Sequence, residues 1–215
     1  MFCELENIVF DFGGVLIDLN RDRCIDSFRR IGYPQADEMI SLYGPSGGFR
    51  MVETGEWSKE QLVEYIRQDS GHPEITLEQV RDAYVDFLGT IPVKKLRGIE
   101  ALRRAGYRTY GLSNINDFVM PHVRERLFTA DGRSINDYFD YTYLSFEMGL
   151  VKPDAAIFEQ MIAHSGMNPE RTLFIDDSAK NIAAARELGF QVYLAAPEED
   201  FSPLIEMIIA SKQRL

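Results

Sequence analysis

Five short apolar runs, each followed by a stretch of helical periodicity, constrain this chain more than any other feature. Asn7–Asp11 (NIVFD), Arg108–Ser113 (RTYGLS), Tyr141–Ser145 (YTYLS), Thr172–Asp176 (TLFID) and Gln191–Ala195 (QVYLA) are rich in β-branched and aromatic residues and read as buried strands. Helical patterns cover Val93–Ala105, Asn116–Phe128, Pro153–His164, Ala179–Leu188 and Ser202–Ile209. A βαβα alternation of this kind predicts an α/β fold, a doubly wound (Rossmann-like) parallel sheet of about five strands with helices on both faces. In such a sheet ligands bind beyond the carboxyl ends of the strands, so residues just after each strand are the ones to inspect.

The alternation fails between Asp18 and Ile91. Cys24, Ile25, Phe28 and Ile31 recur at helical spacing, as do Ala36, Met39, Ile40 and Tyr43, then Leu62, Tyr65 and Ile66, then Val80, Tyr84, Phe87 and Leu88. Turn clusters at Gly44–Gly48 and Gly71–Pro73 separate these segments. The expectation is a small helical unit, residues 18–91, inserted after the first strand into a core made of residues 1–17 and 92–215. Trp57, followed by Ser58, reads as an aromatic staple beside a helix N-cap.

Composition narrows the partners. Twenty-three Lys and Arg against thirty-four Asp and Glu give a net charge of −11, which opposes nucleic acid and anionic lipid. No apolar run approaches the ~18 residues of a membrane span, and the N-terminus has no signal-peptide pattern. Cys3 and Cys24 form no metal-binding or redox spacing. A reduced, cytoplasmic protein is expected, a monomer or weak homodimer, with neither nucleic acid nor membrane as partner.

The strand ends carry polar residues that buried strands do not need. Asp11 closes the first, Ser113 and Asn114 the second, and Asp176 and Asp177 the fourth, while Lys152 precedes Pro153 after the third. Each taken alone fits a helix cap or a solvated loop. Together they bring three carboxylates, an ammonium and a hydroxyl to one crevice. Carboxylates so close repel each other unless a cation or protons intervene. Oxygen ligands with no His or Cys cluster suit Mg²⁺, and a Lys and a hydroxyl beside it suit a phosphoryl group.

Phe10-Asp11-Phe12-Gly13-Gly14-Val15-Leu16, Ser113-Asn114, Lys152-Pro153 and Phe174-Ile175-Asp176-Asp177 resemble, in order and spacing, the four motifs of the haloacid dehalogenase-like hydrolase superfamily. The inserted helices look like that superfamily's cap of the first class. The resemblance implies that Asp11 is a nucleophile forming an aspartyl-phosphate, with Lys152 neutralising charge on it and on the phosphoryl group. It implies that Ser113, Asn114 and Lys152 bind substrate. Asp11, the Gly13 carbonyl and Asp177 would ligate Mg²⁺, with Asp176 joining them or holding a metal-bound water. The implied activity is a phosphatase acting on a small phosphorylated metabolite such as a sugar phosphate.

One position departs from the pattern. Phosphatases of the superfamily usually carry a second Asp, the general acid and base, where this chain has Gly13. Such help is worth roughly 10²–10⁴-fold. Asp18 and Asn114 are candidate surrogates for activating water. Two alternatives follow from the same residues: a 2-haloacid dehalogenase, which the pair Asp176-Asp177 opposes, and a catalytically impaired binding protein, which Gly13 alone supports.

Overall fold

The computed structural model describes residues 4–41 and 44–212. Cys3 and Tyr43, named above, lie outside them. Five parallel strands, β1 (Asn7–Phe10), β2 (Arg108–Ser113), β3 (Tyr141–Leu144), β4 (Thr172–Asp176) and β5 (Gln191–Leu194), form one sheet in the order β3-β2-β1-β4-β5. The chain winds outward from β1 to β3, then returns to the other side of β1 for β4 and β5. The reversal occurs beside β1, which puts the crevice for a ligand at the carboxyl ends of β1, β2 and β4.

Between β1 and β2 lie α1 (Arg21–Arg30), α2 (Ala36–Met39), α3 (Gly47–Glu53), α4 (Lys59–Ser70), α5 (Leu77–Val85) and α6 (Val93–Arg104). Then come α7 (Met120–His122), running on as a π-helical turn over Val123–Leu127, α8 (Ile135–Tyr138), α9 (Ser145–Met148), α10 (Ala155–Ser165), α11 (Ala179–Glu187) and α12 (Ser202–Lys212). Alternate residues of the central strands face opposite layers, as the period of two requires. Ile8 and Phe10 enter the larger core with Leu96, Ile99 and Ile208. Val9 enters the other, with Phe158, Met161, Phe174 and Ile182. The sheet is therefore covered on both faces, as the strand patterns predict.

Three sequence expectations need correction. β5 is an edge strand and only half-buried, not a buried one, and Tyr141 on the opposite edge is exposed. The helix expected over Asn116–Phe128 starts at Met120, because the Asn116 side chain caps the preceding turn by accepting from the amides of Phe118 and Val119 at 3.0 and 3.4 Å. Gly47 and Gly48, read as part of a turn, open α3 instead.

Gly48 explains that last difference. A Cβ there would stand 2.8–2.9 Å from Trp57, Leu62 and Tyr65, so only glycine lets α3 approach α4 this closely. Trp57 lies over this contact with its ring 5.5 Å from that of Tyr65, a packing role. Helix α4 begins with the reciprocal Ser58–Gln61 capping box. Phe28, Tyr33, Phe49 and Tyr84 interlock edge to face at 5.3–6.3 Å, and Tyr84 reaches Phe118 beyond the insert at 6.1 Å. The two segments joining the insert to the sheet lie side by side. Asp18 donates to Thr90 O, Gly89 to Asp18 O and Asn20 to Phe87 O at 2.7–3.1 Å.

Candidate active site

The site begins with β1. Its last strand residue, Phe10, is buried, and the next amide, that of Asp11, donates to Ile175 O of β4 at 2.9 Å. This bond extends the ladder one step and fixes where the Asp11 side chain emerges. Asp11 Oδ1 accepts from the Phe12 amide at 2.6 Å and from Lys152 Nζ at 2.8 Å. Both donors meet the same oxygen, Oδ1, which orients the carboxylate.

Lys152 Nζ also donates to Asp176 Oδ2 at 2.7 Å, and the lysine side chain is 1% exposed. An ammonium has three donors, so two carboxylates leave one for a ligand oxygen. Burial pulls the Lys152 ammonium down, but Asp11 and Asp176 outweigh it and hold the group above its usual value. Burial pushes the Asp11 carboxyl up; Lys152 pulls it back, and Asp176 and Asp177 push it further up. Asp177 is raised for the same reasons, burial first and Asp176 second.

Asp176 is fully engaged by the protein. Oδ1 accepts from the Ser178 amide at 2.8 Å and from Asn181 Nδ2 at 3.0 Å, and Oδ2 accepts from Asn181 Nδ2 at 3.1 Å and from Lys152. Its side chain is 0% exposed. Its carboxylate thus holds Lys152, Asn181 and the Ser178 amide together while its oxygens stay in the same group as those of Asp11 and Asp177.

Asn114 lines the crevice and is also tied to the Lys152 backbone. Its Oδ1 accepts from the Lys152 amide at 2.9 Å and its Nδ2 donates to the Lys152 carbonyl at 3.0 Å. The amide side chain clamps the Lys152 backbone from 38 residues away. Asp18, the other surrogate for activating water, is tied into the connecting segments and is not among the residues lining the crevice. Ser113, 2% exposed at the end of β2, does line it, together with Asp11, Gly13, Lys152 and Asp177.

Carboxylate oxygens of Asp11, Asp176 and Asp177 lie within 4.8 Å of one another. When all three are ionised, one ammonium leaves two negative charges to be met, the charge of one divalent cation. The Gly13 loop, which also lines the crevice, has a neutral oxygen to offer. Its hydrogen bonds, Gly14 N–H to Ile17 O at 2.9 Å and the amides of Leu16 and Ile17 to Phe12 O at 2.9 and 2.7 Å, leave the Gly13 carbonyl unused. An all-oxygen set with no soft ligand fits Mg²⁺. Gly14 sits at φ +73°, where a Cβ would fall 2.6 Å from Asp177 Cγ. Glycine is required there so that the loop and Asp177 can share this space.

The crevice is roofed by the insert. Leu19, Ile40, Pro45, Glu53, Tyr84 and Leu88 line it opposite the strand ends. Glu53, Tyr84, Asn116 and Asn181 escape the sequence reading. Asn181 had a usable signal, five residues beyond Asp176 on the first turn of a helix. Glu53 had none, because its neighbours in sequence say nothing of what α3 faces.

A family model for haloacid dehalogenase-like hydrolases matches residues 5–189. A D-ribitol-5-phosphate phosphatase from Bacteroides thetaiotaomicron is 36% identical over 96% of this chain and 100% of its own length. A HAD family enzyme from the same organism, in crystals with magnesium and inorganic phosphate, superposes with a TM-score of 0.87 at 37% identity, covering 93% of this chain and 98% of that one. A HAD-like family hydrolase from Porphyromonas gingivalis gives a TM-score of 0.89 at 40% identity over 96% of this chain and 98% of that one. With this match over most of its length, and with an aspartate, a lysine and an acidic pair gathered at the ends of a doubly wound sheet, the chain belongs to the haloacid dehalogenase-like hydrolases.

Proposed function

We propose that this protein is a Mg²⁺-dependent phosphatase acting on a small sugar phosphate or sugar-alcohol phosphate, and that Asp11 forms an aspartyl-phosphate intermediate. The observation that carries this is Lys152 Nζ held 2.8 Å from Asp11 and 2.7 Å from Asp176, with Asp177 completing the carboxylate group and Ser113 on the same floor. The relatives support the substrate class, one being a D-ribitol-5-phosphate phosphatase and another holding magnesium and inorganic phosphate.

Asp11 attacks phosphorus through a carboxylate oxygen. Lys152 offsets charge on Asp11 and gives its remaining N–H to a phosphoryl oxygen, and the Ser113 hydroxyl donates to a second. Asp176 and Asn114 are positioning residues for Lys152, one through its ammonium and the other through its backbone. Asp11, Asp177 and the Gly13 carbonyl would hold Mg²⁺. When bound, the metal neutralises phosphoryl charge and orients the group for in-line attack.

Residues 18–91 act as the cap that roofs the phosphoryl group and chooses the substrate, and the paired connecting segments are its hinges. A 2-haloacid dehalogenase needs no metal, and an acidic group that keeps two charges to be met when ionised favours the phosphatase. We place the enzyme in the cytoplasm, where a thiol such as that of Cys24 stays free. The four-residue edges β3 and β5 give a second copy little to pair with, which supports a monomer or weak homodimer.

The test is phosphate release from a panel of sugar and sugar-alcohol phosphates with Mg²⁺ or EDTA. Turnover should require Mg²⁺ and vanish in Asp11→Asn, which keeps the size of the side chain and removes the nucleophile. Retained phosphatase activity in correctly folded Asp11→Asn overturns the assignment.

A further inference from the structure

Gly13 leaves the site without the acid and base that this chemistry needs on an unactivated leaving group. Geometry limits where a substitute must stand. Asp11 attacks phosphorus from the strand ends, and in-line displacement places the leaving oxygen on the far side, toward the roof. Among the described lining residues the carboxylates are Asp11, Asp177 and Glu53. The first two belong to the floor. Glu53, the last residue of α3, is the one supplied by the roof.

The fold holds that residue in place. Gly48 lets α3 lie against α4, as described above. Two residues after Glu53, Gly55 sits at φ +71°, where a Cβ would collide with the Phe146 carbonyl of α9. The end of α3 therefore rests directly on the sheet domain. Lys59 pairs with Asp117 across the same seam at 2.7 Å.

We infer that Glu53 is the acid and base of this reaction, taking from the roof the role that Gly13 leaves vacant on the floor. The inference rests on the phosphatase reading. In the first step Asp11 forms its bond to phosphorus, the bond from phosphorus to the leaving oxygen breaks, and the Glu53 carboxylic acid gives that oxygen its proton. In the second step a water oxygen bonds to phosphorus, Glu53 takes the water proton, and the phosphorus–Asp11 bond breaks. Inorganic phosphate and the alcohol leave with Asp11 a carboxylate and Glu53 protonated, ready for the next turnover.

The surroundings suit this role. Burial pushes the Glu53 carboxyl up to about 7, with Arg50 on its own helix and Lys152 on the floor opposing the rise. Tyr84 of α5 stands close enough to feel the Glu53 charge, and its hydroxyl pairs with Asn116. Asp11 and Asp177 face the same crevice. A group titrating near neutrality is the best compromise between giving and taking a proton.

Glu53→Gln keeps size and hydrogen bonding while removing proton transfer. With Mg²⁺ present, its kcat on D-ribitol 5-phosphate or glycerol 3-phosphate, whichever the wild type cleaves, should fall roughly 10²–10⁴-fold. On 2,4-dinitrophenyl phosphate, whose leaving group needs no proton, it should release a burst of one phenol per active site and then turn over slowly, because the second step still lacks its base. Glu53→Asp should recover part of the alkyl-phosphate rate. In the wild type, kcat on the alkyl phosphate should fall as pH rises through about 7, while the burst rate on the aryl phosphate should not. This last comparison stands even if Glu53→Gln fails to fold. A folded Glu53→Gln that changes KM alone, or a wild-type pH limb identical for both substrates, overturns the inference. A wild type that cleaves no phosphate ester overturns the phosphatase reading instead.

Discussion

Gly14 offers a perturbation whose size follows from the structure. Gly14→Ala asks an L residue to hold φ +73°, which costs about 1 kcal/mol or somewhat more. Its Cβ would also lie 2.6 Å from Asp177 Cγ, whereas nonbonded carbons rest at about 3.5–4.0 Å. The Asp177 carboxylate must therefore shift by roughly 1 Å from its place beside Asp11. A total destabilisation of about 1–3 kcal/mol follows, which for a chain of this size lowers Tm by roughly 2–12 °C. Mg²⁺ affinity should fall about 10–100-fold, the usual result of disturbing what orients a metal ligand. Gly13→Ala is the control. Gly13 has no positive φ, and its Cβ would meet only the flexible tip of Leu19 at 3.3 Å, so stability should stay within about 0.5 kcal/mol. Thermal melts by circular dichroism and Mg²⁺ titration by calorimetry read both quantities. A Gly14→Ala protein with wild-type Tm and Mg²⁺ affinity would refute the claim that this loop and Asp177 compete for one space.

Two further outcomes are open to direct measurement. Asp177→Asn should weaken Mg²⁺ binding at least tenfold and raise the metal-free Tm, because burial and Asp176 make the Asp177 charge costly; equal affinity in both proteins would remove Asp177 from the metal site. Glu53 has a folded pKa of about 7 against an ordinary 4.5, so its stabilising contribution is fully present below about 4.5 and is lost as pH rises through about 7. The metal-free Tm of Glu53→Gln, measured relative to wild type, should therefore climb between pH 5 and pH 8, and a difference that stays constant over that range would contradict the burial assigned to this carboxyl.

Much of this molecule is legible in its sequence because the relevant signals are local. A buried parallel strand must be a short apolar run, and a residue that leaves such a strand for a crevice must be polar. NIVFD, RTYGLS and TLFID therefore place β1, β2 and β4 within a residue, and with them Asp11, Ser113 and Asp177. The edge strands were also found, but their exposure was not, since only the sheet order decides which strand has a neighbour on each side. The division of labour within the site was decided by contacts across long stretches of chain. Asp176 and Asp177 are adjacent acids in sequence, yet one meets Ser178, Asn181 and Lys152 and the other faces the crevice. The hold of the Asn114 amide on the Lys152 backbone, 38 residues on, has no trace in the sequence. Glu53 carries no motif. Its place in the crevice lining arises from two glycines, Gly48 admitting α4 and Gly55 admitting the Phe146 carbonyl, and from the docking of α3 on a segment nearly a hundred residues later. Periodicity and strand-end chemistry are properties of neighbouring residues and survive in a linear string, whereas which donor reaches which oxygen depends on packing and exists only once the chain has folded.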